Sequence, residues 1–389
     1  MAFPLVIVLL LTTAAFVDSA ANKTGCDGVV SNSLCTQSDS CAVSPCTMLC
    51  GLMRPYDTCR QSCFRSKCDG IKCRSSERCT QTCSQTTCGA MTCDAKECTQ
   101  GCTRANCSSQ TWPETVKTCT QISASEMTCN ADVCNQICSQ LGECRMTCPV
   151  GGSECNQVAH EGVRASMRCD RGVCQQVCRS KRCNMSCSSS ATAGHCQQVC
   201  NNNECKTMAC DATNCTQVTN AGNITLRCDG EVCDQVCRGG DSKMVCPIGV
   251  KKCTQTAFGN NTAMQCDAGV CQQVSFREDT NMVCSLGVKL CEQIATDKNT
   301  TMRCDGEKCQ QRCGKPACSM ICSANTKECQ QICLSGDCAF KCDAEKCERY
   351  VQPTTIVEIT KRNTKSSRAA LQMASSVMES VMVTFFFLI

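Results

Sequence analysis

Between Cys26 and Cys347 the apolar and polar positions repeat as one unit: an apolar residue two before a cysteine, a short spacer, then a cysteine two before a glutamine. Met167-Arg-Cys169 with Cys174-Gln-Gln176, Met244-Val-Cys246 with Cys253-Thr-Gln255, and Met302-Arg-Cys304 with Cys309-Gln-Gln311 carry it in full. Methionine fills the apolar slot in most units, and Ile71, Leu226 and Phe340 replace it in others. From Met127 to Phe340 the slot recurs about every 19 residues, and in the second half the step tends to alternate between 18 and 20.

Residues two apart share one face of an extended strand, so each M-x-C and each C-x-Q predicts a very short strand with both named side chains on one side. The spacer is turn chemistry, Cys followed by Asp and then Gly or Ala, as in Cys228-Asp229-Gly230 and Cys266-Asp267-Ala268. Strand, turn, strand and longer loop make one coil. The chain is therefore predicted to be an all-β, disulfide-rich, irregular β-solenoid-like rod of about 19-residue turns, with columns of Met, Cys and Gln inside. The competing arrangement is a string of small disulfide-knotted modules.

Composition decides what holds such a coil together. Cysteine supplies 52 of the 389 residues, whereas Leu, Ile, Val and Phe together make about one residue in six and Trp112 stands alone. So thin an apolar complement requires disulfides in place of ordinary packing. No two cysteines are separated by fewer than three residues, so the CxxC pairs of zinc ribbons, thiolate clusters and thiol oxidoreductases are missing. Only His160 and His195 could complete a mixed metal site, and no cofactor is expected.

The repeats serve as their own comparison for pairing. Every complete unit has the M-x-C and C-x-Q cysteines, whereas a second couple, starting two residues after the glutamine, is present or absent as a pair. Residues lost together are most simply bonded together. This assigns Cys169/Cys174, Cys228/Cys233 and Cys304/Cys309 as obligatory couples and Cys178/Cys183 and Cys313/Cys318 as optional ones. The same rule gives Cys26/Cys35, Cys41/Cys46 and Cys50/Cys59 near the N-terminus. Cys119 and Cys237 are left over, as free or intermolecular thiols, unless the obligatory bridges run between neighbouring turns; spacing alone leaves the connectivity open.

Two further rows carry candidate chemistry. The C-x-Q glutamines, read at Gln37, Gln61, Gln81, Gln100, then from Gln136 to Gln331, are expected to be structural, since stacked amides satisfy one another in repetitive β architectures. Aspartates after the M-x-C cysteine (Asp69, Asp94, Asp170, Asp211, Asp229, Asp267, Asp305 and Asp343) are turn residues that would also suit Ca²⁺ or mineral contact.

The ends set the compartment. The apolar run from Leu5 to Phe16, with small residues at Ser19 and Ala21, predicts a signal peptide over residues 1–21. Sequons at Asn22, Asn106, Asn184, Asn214, Asn223, Asn260 and Asn299 agree with the secretory route. After the cysteine-rich region (22–350) come a polar spacer (351–368) and a hydrophobic tail (369–389). Asn363, Ser366 and Ser367 with that tail match a GPI-attachment signal, free secretion being the alternative.

No nucleophile motif surrounds either histidine, and the chain has no P-loop, Rossmann glycine pattern or HExxH, so no enzyme is expected. Net charge is +4, and with only 12 aromatic residues there is no basic, aromatic-interleaved patch for nucleic acid. Repeats such as Cys98-Thr-Gln100-Gly-Cys102 and Cys329-Gln-Gln331-Ile-Cys333 resemble those of the cysteine-rich secreted proteins of coral and other cnidarian skeletal organic matrices. The resemblance implies a structural extracellular protein whose partners are matrix components or further copies of itself. The other expectation is a secreted binding or defence module that recognises a protein or carbohydrate on one face of the repeat.

Overall fold

The computed structural model describes residues 34–352 apart from 40–45, 51–55, 65–67, 86, 104, 112–115, 123–124, 140–141, 189–193 and 202–203. The signal peptide, Asn22, the spacer beyond residue 352 and the tail, with Asn363, Ser366 and Ser367, lie outside the described residues.

The strands are all parallel-paired rungs of two ladders, and each turn of chain gives one rung to each. One ladder is built of C-x-Q strands, such as Val173–Cys178 between Glu154–Ala159 and His195–Cys200. The other is built of M-x-C strands, such as Cys183–Ser188 between Val163–Cys169 and Thr207–Asp211. The 17-residue strand Cys68–Ser84 serves both, pairing with Thr87–Asp94 at its start and Glu97–Thr103 at its end. The fold is a continuous β-solenoid and not a string of separate knots.

Register keeps like beside like: Cys174 opposes Cys196, Gln176 opposes Gln198, and Met185 opposes Met208. Period-2 alternation sends the named residues inward and leaves the intervening ones outside, as along Val163–Cys169, where Val163, Ala165, Met167 and Cys169 are buried. The interior divides into two columns. One packs the methionines against the optional cystines, and the other stacks the obligatory cystines with small residues such as Ala131, Ala212 and Ala268. An unbranched, flexible methionine suits the first column because it fills the width left between two backbones.

Twenty-two bridges join described cysteines, with Cα separations from 6.0 to 6.7 Å, inside the range a disulfide accepts. Each lies within one turn. Cys169–Cys174, Cys228–Cys233 and Cys304–Cys309 close the corner from the Met ladder to the Gln ladder. Cys178–Cys183 and Cys313–Cys318 close the corner that leads back. Cys59 is oxidised as well, and the couples before it fall wholly or partly outside the residues whose side chains are described.

Corner length explains the alternating step. Obligatory couples are separated by five residues at Cys266–Cys271 and Cys304–Cys309 but by seven at Cys246–Cys253 and Cys284–Cys291. The longer corners turn through glycines at φ of +106° (Gly249) and +94° (Gly287), a region open to glycine and strained for most side chains. The opposite corner instead carries a left-handed residue, Asn or Asp at Asn223, Asp241, Asn261, Asp279 and Asn299 and glycine at Gly142, Gly162 and Gly336. Where the optional bridge is missing, its slots hold buried Ala, Ser or Thr in most turns, and Ile224 in one. Ser275 and Thr280, for example, hydrogen-bond through their hydroxyls at 2.7 Å. At the last described rows Phe340 takes the methionine position and Arg349 the glutamine position, with the guanidinium 5.9 Å over the phenyl ring.

On the chain-entropy account each short bridge contributes about 2 kcal/mol, so two in one turn contribute about 4 kcal/mol. Complete reduction should abolish the β-type circular dichroism. A spectrum unchanged in strong reductant would show that packing and not cystine holds the turns.

Candidate functional site

The chemistry of the interior is concentrated in one row. Strand alternation points a glutamine inward two residues after the cysteine of each C-x-Q rung, and every one whose side chain is described, from Gln61 to Gln331, is buried. Its amide has two donors to satisfy. One goes to the amide oxygen of the preceding row: Gln136 to Gln121 at 2.7 Å, Gln235 to Gln217 at 2.8 Å, Gln331 to Gln311 at 2.9 Å. The other goes across the coil to a carbonyl of the Met ladder, as from Gln176 to Ser186 O at 3.0 Å and from Gln217 to Met208 O at 2.9 Å. Glutamine has the reach and the acceptor-plus-two-donor pattern for this, and the row works as a structural ladder.

The ladder breaks once, at Gln100, whose Oε1 is buried without a partner. The next rung, Thr118–Ile122, carries Cys119 and Gln121, a glutamine that the repeat pattern does not mark because its unit lacks the usual Met and first Cys. Gln110 stands in the methionine row there, opposite Met91 and Met127, and Trp112 follows two residues later where other units have cysteine. Cys119 is thus an obligatory cysteine whose partner position is a tryptophan. It is unpaired and fully buried between the Cys98 and Cys134 rows.

An unexpected residue lies in the corner column next to this irregular turn. Arg171, almost wholly buried, reaches back two turns to donate to Cys129 O at 2.7 Å, Asp132 O at 3.0 Å, Pro149 O at 3.0 Å and Ala131 O. A Cβ at Gly152 would overlap the guanidinium, so glycine is required there for steric room. Burial pulls the Arg171 pKa down from its ordinary value, opposed by Asp132 and Cys119. Burial likewise pushes the Cys119 thiol well up, with Arg171 pulling the other way.

Cys237 is the mirror case, an optional cysteine whose partner is missing. Ser242, two residues before Met244, occupies the slot that Cys183 and Cys318 occupy in bridged turns. The Cys237 thiol donates to Gly239 O at 3.1 Å, and burial raises its pKa against the hydrogen bonds from Ser242 and Gly239. Burial puts both thiols out of reach of another chain. The intermolecular option for Cys119 and Cys237 is therefore set aside, and they are free, inward thiols.

The remaining candidates lie outside. Asp170, Asp229 and Asp305 pair with the arginine two residues earlier, at 2.8, 2.8 and 3.0 Å from Arg168, Arg227 and Arg303, while Asp343 pairs with Lys341 and Asp94 with Arg74. Five of the eight aspartates in the row are therefore ion-paired, whereas Asp267 accepts from Gln265 at 3.2 Å and stands in no ion pair. Sulfurs of neighbouring cystines come within 4.8 Å of one another, as in Cys187, Cys196 and Cys210, but oxidised sulfur offers a metal no thiolate. His160 follows the rung Glu154–Ala159 and His195 opens the rung His195–Cys200, at opposite edges of one ladder. Asn184 and Asn214 are exposed on strands. Asn223, Asn260 and Asn299 are exposed at the same corner of alternate turns. The side-chain setting of Asn106 lies outside the description.

Replacing Gln235 by leucine should lower stability in guanidinium, with the bridges intact, by about 4 kcal/mol, because Gln217 Oε1 and Gln255 Nε2 each lose a partner at about 1–3 kcal/mol. A loss below about 1 kcal/mol would deny the ladder that role. Cys119 and Cys237 should resist a thiol reagent in the native protein and react on unfolding. Both ionise more readily unfolded, near the ordinary value of about 8.5. They therefore contribute stability below that pH, and the contribution is lost as pH rises above it, which unfolding curves across pH 7 to 10 on the wild type and a Cys119→Ser/Cys237→Ser variant would register. Compared with known protein families, with curated proteins and with solved structures, the chain matches none.

Proposed function

We propose that this chain is a non-enzymatic, extracellular structural protein, a disulfide-held scaffold of a matrix or cell surface. The observation that carries the reading is that among the described residues every M-x-C to C-x-Q corner is closed by a cystine, except at the turn of Cys119. A coil made this way forms and persists where thiols are oxidised, as outside the cell. Its inward positions are occupied by cystine, methionine and glutamine bonded to one another. Some of its outer charges pair, between turns at Lys251–Glu231 and Lys327–Glu307 and within one turn at Arg227–Asp229, each pair worth little alone. Exposed sequon asparagines suit a glycosylated surface, and the C-terminal tail suits a GPI tether. The skeletal organic matrix is one setting for such a scaffold. Ca²⁺ or mineral contact is no part of what supports it, since five of the eight row aspartates are engaged with Arg or Lys.

The test is to express the full chain in secretory cells and alkylate it before any reduction. The expected product is found in the medium, or on the surface and released by a phosphatidylinositol-specific phospholipase, with Cys119 and Cys237 the only labelled residues between 59 and 347. A cytosolic product labelled at most cysteines would overturn the proposal.

A further inference from the structure

The outer faces of the two ladders differ. On the Met ladder the outward positions hold the Arg/Asp pairs and the exposed sequon residue Asn184. On the Gln ladder the position after each glutamine forms an aliphatic column from Ile122 to Ile294. Ten successive rows are in register and half-buried, Thr256 being the only one that is not Val or Ile. Beside it runs a row that is uncharged but for Asp234 and Glu292, and beyond that a margin column in which Val133, Val173, Val232 and Val270 are interspersed with polar residues, Glu154 and Lys252 among them. Monomeric proteins rarely leave so long an apolar stripe uncovered.

We propose that this face packs against the same face of a second copy of the chain. Ten rows at about 4.8 Å, three outward columns wide, present on the order of 600 Å² per copy, so two copies bury about 1,200 Å², the lower end for a specific interface. The repeat itself selects the partner. A surface that meets all ten rows must translate by the same strand spacing over its whole length, and another copy of this ladder does so without adjustment. Packing like on like about a two-fold axis uses the face completely and closes the assembly as a dimer. One sequon, Asn214, stands on the margin column of this face, so its glycan bears on the contact. The inference rests on the fold and not on the extracellular reading, and its failure would leave that reading standing.

Light scattering after size exclusion, on the full oxidised chain at micromolar concentration, native and enzymatically deglycosylated, decides it. A dimer is expected in at least one form. Val199→Lys combined with Val236→Lys should weaken it at least tenfold, with unchanged circular dichroism, while Ser186→Lys on the opposite ladder should leave it intact. A monomer in both forms overturns the proposal. So does a dimer insensitive to the lysines, or a monomer whose face carries a co-purifying polysaccharide or protein that the lysine variant loses.

Discussion

The coil is one side chain deep. Each rung of the Gln ladder faces a rung of the Met ladder across a gap filled by a single inward layer from either side, and almost everything else in the structure answers to that limit. A layer so thin gives branched aliphatics little depth in which to interlock, and methionine and cystine predominate in it over residues such as Ile71, Val163 and Leu226. Because the turns at both corners are short, the ends of the two rungs come within bridging distance in the same turn. The cystines then replace the missing core by restricting the unfolded chain.

The same limit brings the backbone of one ladder within reach of side chains from the other. Carbonyls of the Met ladder are met by glutamine amides, and no shorter amide side chain stands in that row from Gln121 to Gln331. Once the row exists, each turn must repeat at the strand spacing, so inward identity is strict and outward identity is free. The one described turn that departs, with Gln110, Trp112 and the unpaired Cys119, loses its amide bond to Gln100, and in the two turns that follow it Arg171 binds four corner carbonyls.

Much of this was legible in the chain because the units could be compared with each other. Couples that vanish together, such as those missing after Gln255 and Gln273, mark the corner at which a bridge is dispensable. Cys237 was legible as unpaired, but Ser242 as the vacated slot needed the register of neighbouring rungs. Gln121 was missed because a unit without Met and first Cys does not announce itself. Arg171 left no signal at all, since its bonds span about 40 residues to backbone carbonyls whose positions no pattern encodes. The ion pairing of the aspartates was readable in retrospect: Arg168, Arg227 and Arg303 each lie two before an aspartate, on the same outward side of an extended chain.

The glutamine row also has a direction. In every bond from Gln121 to Gln331 the later residue donates and the earlier accepts. The amide dipoles are therefore aligned and add along the axis, as peptide dipoles do in a helix. The coil acquires an electrical polarity that parallel strands, whose own dipoles largely cancel, do not supply. Its negative pole is the unpartnered Oε1 of Gln331, and the side chain in the next row is the cation Arg349.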